Sequence, residues 1–302
     1  MKEQFFITLL FILAVISCNK NSKNLDQVKD NKMETYFLNH DIRNIDYEIF
    51  LNDILISQSI NNNGLPAPIN LNSYIFKNGQ QKVRIKLSTN SEENLTQEII
   101  NGVNKSLSVH LLTNDNYGNM KEILKLNFPL INSPIKYYEH EWLFEANAIE
   151  GIGNLSQSID LVRIEKDELQ KEVVSKYQEL RKLLNEGNGK AFMKEIEKAK
   201  ASFFLAENIL KDKQGEYNSN MEEYFDSHKG TIPTIGNFTL RVMGNSRAVS
   251  LENNSNHKGL GILSSEDIQN NTLNVNYIIL HKPVGADKFE VFRYNCTYTA
   301  LK

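Results

Sequence analysis

The sequence predicts an α+β protein of two domains, and three observations carry that prediction. Short alternating runs separated by turn residues fill Arg43 to about Ala148. A helical periodicity replaces them after Gly151-Ile152-Gly153-Asn154, and alternation returns from Ile232 almost to the end of the chain. Apolar residues at every second position mark strands with one buried face, whereas apolar residues three and four apart mark helices with one buried stripe. Strands, then helices, then strands, with hairpin-length connections, is the order of an α+β arrangement rather than of alternating βαβ units.

In the first stretch Ile45, Tyr47, Ile49 and Leu51 alternate with polar residues, and Asn52-Asp53 offers a tight turn into Ile54-Leu55-Ile56. Asn78-Gly79 is a second turn signal, because both residues tolerate positive φ. Val83, Ile85 and Leu87 then form one face of a strand, with Lys82, Arg84 and Lys86 on the other. Leu107, Val109 and Leu111 repeat the alternation, and Ile123–Phe128 and Tyr138–Phe144 follow the turn Asn114–Asn119. Six or seven short strands within about 105 residues predict an antiparallel β-sandwich over 41–150, the immunoglobulin-like topology being one that fits.

The glycines near 151 mark the expected boundary to a second domain over 151–302. Its helices are expected at about 163–211 and its strands at about 235–298. Leu169, Val173, Tyr177, Leu180 and Leu184 form the first helical stripe, which is expected to face its own sheet. Gly187-Asn188-Gly189 ends that helix, because glycine accepts the left-handed conformation of a helix cap. Phe192, Ile196, Ala199, Phe203, Ala206 and Leu210 form the next stripe, so the two helices are expected to fold back as an antiparallel hairpin. Phe238, Leu240 and Val242 lead through Gly244-Asn245 into Ala248–Leu251, and Leu273–Leu280 and Phe289–Tyr294 complete a sheet. This helix-helix-sheet order, with Tyr177 and the Gly187 turn, is similar to small cone-shaped NTF2-like domains.

The first residues speak about location. Lys2 precedes the apolar run Phe5–Ile16, which is too short to cross about 30 Å of hydrocarbon and has the form of an export signal. Val15-Ile16-Ser17-Cys18 resembles a bacterial lipobox. The resemblance implies a signal peptide over 1–17 and a lipoprotein beginning at acylated Cys18, held in the membrane by several acyl chains at about 0.8 kcal/mol per buried methylene. Asn19 to about Thr35 is rich in Asn, Lys, Asp and Ser. Such a stretch buries too little to order itself and reads as a flexible tether, assigned to 18–40, with a reach on the order of 20 Å. The expected address is the bacterial cell envelope. Asn19, in place of a retention-type aspartate, points toward the outer membrane.

A net charge of −3, with 40% hydrophobic and 24% charged residues, describes an ordinary folded body without the basic face a nucleic-acid partner requires. The chain has two cysteines. With Cys18 acylated, Cys296 has no partner for an intrachain disulfide and is expected to act as a small buried hydrophobe.

Catalytic signatures are few, and no cofactor or metal is expected. There is no G-x-S-x-G elbow, no Walker A pattern and no Cys/His ligand spacing. In His140-Glu141-Trp142-Leu143-Phe144, Phe144 stands where a zinc-protease helix needs its second ligand, and the segment reads as a strand with His140 on the core side. Glu139 and Glu141 on its other face lie about 6.5–7 Å apart by strand geometry. That overlaps the spacing of glycosidase carboxylates, although two acids on a sheet face are ordinarily solvated charge. Asn114–Asn119 resembles a fragment of a calcium loop but lacks the spaced acids and the terminal glutamate. Gly151-x-Gly153 and Gly259-x-Gly261 lack the third glycine of a dinucleotide fingerprint. His110 and His257 are the histidines a hydrolase assembled from distant segments could use. The loops Asn61-Asn62-Asn63 and Asn253-Asn254-Ser255-Asn256 are polar enough for recognition.

The overall layout, a lipobox followed by a β-rich domain and a helix-plus-sheet domain, resembles immunity lipoproteins of bacterial toxin systems. The resemblance implies a non-catalytic module that binds a protein partner and occludes a toxin. A carbohydrate- or small-ligand-binding lipoprotein is the alternative expectation. It asks for exposed aromatic platforms, and the single tryptophan, Trp142, is expected to face the core. Neither the residues of a binding surface nor the oligomeric state is legible at this level.

Overall fold

Alternation in the sequence becomes three antiparallel sheets. The computed structural model describes residues 34–60, 67–89, 93–112 and 120–301. The leader, Cys18, the Asn61–Asn63 loop and the Asn114–Asn119 turn lie outside the described residues. The architecture is α+β, with five α-helices among those residues.

The first sheet contains β2 (Asp46–Leu51), β3 (Ile54–Ser59), β5 (Gly79–Ser88) and β8 (Tyr137–Ala146), in the order β3-β2-β5-β8. The second contains β1 (Thr35–Asn39), β4 (Ile69–Asn70), β6 (Ser108–Leu112) and β7 (Lys121–Lys125), in the order β4-β1-β6-β7. β1 thus lies ahead of residue 41, within the stretch 18–40 expected as a tether. Asn52 and Asp53 both adopt positive φ, 51° and 66°, as a two-residue turn between right-twisted strands requires. β5 alternates as its sequence predicts, with Val83, Ile85 and Leu87 fully buried and the intervening Lys82, Arg84 and Lys86 half-exposed. Both sheets feed one apolar cluster, in which Leu38 and Val109 meet Ile49, Val83 and Ile85. Rings bridge them: Tyr36 lies 6.1 Å from Phe144, and His40 lies 5.3 Å from Tyr47, edge-on.

The helix α1 (Gln97–Asn104) interrupts a stretch expected to be all strand and turn. Thr96 caps it by accepting the Ile99 N–H, and Ile100 and Val103 bury its inner side.

Next comes α2 (Lys166–Glu186), capped by the Glu165 carboxylate on the N–H groups of Asp167 and Glu168 and ended by Gly187 at φ 65°. All five residues of its expected stripe are buried. The second expected helix is two, α3 (Gly189–Glu195) and α4 (Glu197–Ala206), with Ile196 between them at φ −98°, ψ 9°. The break lets each half reach its own partner. Phe192 packs on Phe225 at 4.4 Å, while α4 joins its Ser202 hydroxyl to the Gly153 N–H and its Lys198 to Glu290. A further helix, α5 (Gln214–Asp226), extends the helical layer beyond residue 211.

The third sheet comprises β9 (Phe238–Met243), β10 (Ala248–Asn253), β11 (Ser265–Asp267), β12 (Thr272–His281) and β13 (Glu290–Ala300). β12 lies between β13 on one side and β10 and β11 on the other. This sheet has two apolar faces. Val249, Leu251, Ile278, Leu280 and Val291 join the cluster built on α2 and α3, whereas Met243, Ala248, Tyr277, Ile279 and Phe292 join the cluster of the first two sheets. Tyr177 of α2 ties helix to sheet: its hydroxyl donates to the Ile278 carbonyl at 2.5 Å and accepts the Leu251 N–H at 3.1 Å. Met33–Lys302 forms one compact unit. No helix among the described residues is long and apolar enough to cross a membrane.

Arg293 locks the shared sheet to the first half of the chain. It is 4% exposed, and carbonyl oxygens hold it: Nε and Nη2 donate to Ser73 at 3.0 and 2.9 Å, Nη2 to Gly153 at 2.6 Å, and Nη1 to Phe292 at 2.7 Å. Its guanidinium also covers the Phe292 ring at 4.1 Å. Burial pushes its pKa down to about 10. Arg293→Met keeps the bulk but orphans two buried carbonyls, those of Ser73 and Phe292, at about 1–3 kcal/mol each, while the exposed Gly153 carbonyl can turn to water. Urea unfolding is expected to show a loss of about 3 kcal/mol or more, with Arg293→Lys intermediate, because an ammonium cannot reproduce the fork. An unchanged midpoint in Arg293→Met removes this role.

His40 gives a second test. It is buried beside Tyr47, its Nδ1 has no hydrogen-bond partner, and burial lowers its pKa to about 4 against the weaker pull of Asp41. Between that value and the ordinary histidine value the unfolded chain binds the extra proton, so stability falls as pH falls. His40→Phe keeps a ring and removes the titration. The variant should gain on wild type by about 1.4 kcal/mol per pH unit as unfolding is measured from pH 6.5 toward pH 5. A constant difference across that window refutes the assignment.

Candidate functional site

Half-exposed positions on β5 carry three cations, and the strands beside it answer them with anions. Arg84 occupies the middle. Its Nη2 meets Asp53 at 2.8 Å, its Nη1 meets Glu139 at 3.1 Å, its Nε lies 3.7 Å from Glu141, and its guanidinium lies over the Phe50 ring at 4.0 Å. Lys82 pairs with Glu141 at 3.1 Å and Lys86 with Glu48 at 3.7 Å. Register produces this lattice: Lys86 stands between Glu48 of β2 and Glu139 of β8, and Arg84 stands between Phe50 and Glu141.

The lattice continues onto the third sheet. Arg241 of β9 donates to Glu48 at 2.5 Å and to Glu252 of β10 at 2.5 Å. Glu252, 3% exposed, also accepts the Tyr277 hydroxyl at 2.6 Å, and that hydroxyl lies 2.9 Å from Ser250 Oγ. Burial lifts the Glu252 carboxyl above the usual carboxylate range, against the opposing pull of Arg241. The Arg241 guanidinium is held well above its ordinary value by Glu252 and Glu48, despite burial. Such a face is a fixed array of charge of both signs, suited to matching the potential of another surface.

Glu139 and Glu141 share this face as expected, and Glu139 is not poised as the acid of a glycosidase. One carboxyl must be held protonated for that reaction. Burial acts in that direction on Glu139, but hydrogen bonds from the Tyr137 hydroxyl and from Arg84 outweigh it and hold the carboxyl below the usual range. His140 packs edge-on against Trp142 at 4.8 Å, and Phe144 is core. Among the described residues no three His, Cys, Asp or Glu side chains are placed to hold a metal ion.

No family model, curated protein or solved structure matches the chain.

The other histidines are distributed rather than convergent. His110 on β6 lies 2.8 Å from Ser108 Oγ, but its Nδ1 is buried without a partner, so no carboxylate orients it as a base. A second Ser–His pair joins fully buried Ser158 to His281 at 2.8 Å, and burial lowers His281 to about 4. That is too weak a base for neutral pH. His257 pairs with Glu266 at 2.8 Å in the segment after β10. The loop Asn253–Asn256 is fastened by its own bonds: Asn253 Oδ1 accepts from the Ser255 N–H and hydroxyl, and the Asn254 N–H reaches the Asn237 carbonyl. Gly261 is a packing glycine, because a Cβ there would come within 2.4 Å of the Asn276 carbonyl oxygen.

Sequence reasoning missed the polar cluster under α5. Asn276, fully buried, donates to His228 Nε2 at 2.9 Å and to the Leu263 carbonyl at 3.1 Å. Its Oδ1 accepts the Tyr224 hydroxyl at 3.2 Å and the Cys296 thiol at 3.3 Å. His228 Nε2 is therefore an acceptor, and its Nδ1–H donates to the Tyr224 carbonyl at 2.8 Å. The available signal was Tyr217, Met221, Tyr224 and Phe225 at helical spacing. Cys296 is partly exposed as a residue, yet burial of its thiol raises it to about 12. In the soluble chain from Asn19 onward, a thiol reagent at pH 8 should therefore leave Cys296 unmodified until denaturant is added. Rapid labelling of the native protein would overturn this inert role.

Proposed function

We propose that this chain is a bacterial envelope lipoprotein, anchored through acylated Cys18, whose body binds another protein in the manner of immunity lipoproteins that block toxins. The observation that supports the reading is the charged outer face of β2, β5 and β8. Its cations and anions are held at fixed positions around buried Phe50, and half-exposed Tyr137 and Leu143 lie on β8 at its margin. Fixed charges select a partner and speed encounter more than they add raw affinity, which suits a protein that must find one target.

In the same reading the first two sheets make a β-sandwich of immunoglobulin-like kind, the expected 41–150 extended at its start by β1, and the helices with the third sheet make the second domain over 151–302. One apolar cluster joins the first two sheets, as a sandwich requires, and takes in one face of the third sheet as well. The tether before β1 lets the body search near an outer-membrane surface. The carbohydrate-binding alternative has less support, because Trp142 stands edge-on to Phe128 at 5.0 Å instead of lying flat and open as a platform.

Two measurements on cells and extracts test the reading. Labelled palmitate should enter the full chain, and Cys18→Ala should abolish labelling and release the protein from the membrane fraction. A pull-down from native envelope extract with the chain from Asn19 onward should return one stoichiometric protein partner. Retention on glycan or peptidoglycan, with no protein captured, overturns the protein-binding role.

A further inference from the structure

The edge of the first sheet indicates what kind of chain the proposed protein-binding surface takes. We propose that β8 is a strand-addition site for an extended, basic segment of a partner protein; this rests on the protein-binding reading above. β8 is ten residues long and, among the described residues, pairs on one side only, with β5 along its whole length. An edge strand presents alternate N–H and C=O groups that a further strand can take up.

The charges specify the added strand. Across the outer face the strands alternate in sign: Glu48 on β2, then Lys82, Arg84 and Lys86 on β5, then Glu139 and Glu141 on β8. Glu145 continues the acidic row, stands opposite Gln80, is exposed, and makes no ion pair among the described residues. The next strand in this series is basic. Placed about 4.8 Å from β8, it sets every second side chain beside Glu139, Glu141, Leu143 or Glu145. Lys or Arg suits the three acids, and an apolar residue suits Leu143, which is 52% exposed.

The inner row fixes the remaining positions. Tyr138, His140 and Trp142 lean on Phe128 but stay only half-buried. Apolar side chains at the intervening positions of an added strand cover them. The recognised segment is therefore amphipathic at period two, basic on one face and apolar on the other. A second copy of this chain does not fit, because two β8 edges together line both strands with carboxylates, and like charges opposed across strands are destabilising.

Trp142, the only tryptophan, reports on this edge. The test titrates the chain from Asn19 onward, which retains the whole Met33–Lys302 unit, with a blocked octapeptide of alternating Lys and Val. The same peptide with Glu for Lys is the control. The Lys peptide should shift Trp142 emission, slow amide exchange in β8, and bind at least about tenfold more tightly than the Glu peptide. Glu139→Lys with Glu141→Lys removes partners of Arg84 and risks unfolding. The deciding variant is therefore Leu143→Lys with Glu145→Lys, which leaves the Arg84 pairs intact. It should weaken the Lys peptide about tenfold and strengthen the Glu peptide. Equal binding of the two peptides, unchanged β8 exchange, or unaltered binding to the double variant overturns the site. An extract partner that protects a surface other than β8 sinks this site and leaves the protein-binding role standing. Tight Lys-peptide binding at β8, with only glycan captured from extract, does the reverse.

Discussion

The structure turns on a guanidinium that has left water without a carboxylate to meet it. Arg293 lies on the face of β13 that looks toward the first half of the chain, and its donors end on the carbonyls of Ser73, Gly153 and Phe292. Those carbonyls belong to a turn of the first half, the segment joining the two halves, and β13 itself. A buried charge satisfied in this way tolerates little movement, because each carbonyl that drifts away leaves donors unpaired where water cannot replace it. The shared sheet can be apolar on both faces because both are covered, by α2 and α3 on one side and by the first two sheets on the other. Arg293 sets the register of that second contact, as apolar packing alone would not.

The same division between packing and charge recurs at Phe50. Its ring is buried, and it sits beneath Arg84 at 4.0 Å, Lys86 at 5.2 Å and Arg241 at 6.0 Å. Three cations around one ring repel one another, and the arrangement holds because Asp53, Glu139, Glu141, Glu48 and Glu252 lie between and around them. The most exposed of these pairs, Lys82–Glu141, contributes little by itself. The effect of the pairs here is positional: long side chains that would otherwise sweep through solvent are held in place, so the face presents a definite pattern of charge.

Much of this was legible in the sequence, and the limits have physical causes. Asn52-Asp53 and Gly187 were readable because only a few residue types accept positive φ without strain. β5 and α2 were readable because each buries one face, so burial is written as a period. α5 was obscured by Gly215, Asn218, Ser219 and Asn220, poor helix formers whose helix is held by the packing of Tyr224 and Phe225 rather than by propensity. The break at Ile196 carries no sequence mark, since an isoleucine there serves a continuous helix equally well. The cations of β5 and the acids of β8 were each visible as alternation, but their pairing depends on which strands are neighbours. Strand order is a tertiary property that no local pattern contains.

The interior and the exterior of this protein have therefore taken different roles. Inside, the polar groups around Asn276 satisfy one another: Asn276 fills its bonding capacity with His228, Leu263, Tyr224 and Cys296, and the buried Cys296 thiol and His281 ring are both held in their neutral forms. A network closed in this manner specifies one packing and leaves few free valences for a ligand. Outside, the lattice across β2, β5 and β8 closes at two places, with Glu48 handed on to Arg241 and Asp53 bonded back to the Asn245 N–H. It ends at β8, where the acidic row runs on to Glu145 without a cation in register. Recognition is best placed where an ordered pattern stops short of completion, because a partner that continues it finds its contacts already arranged and loses little entropy in making them.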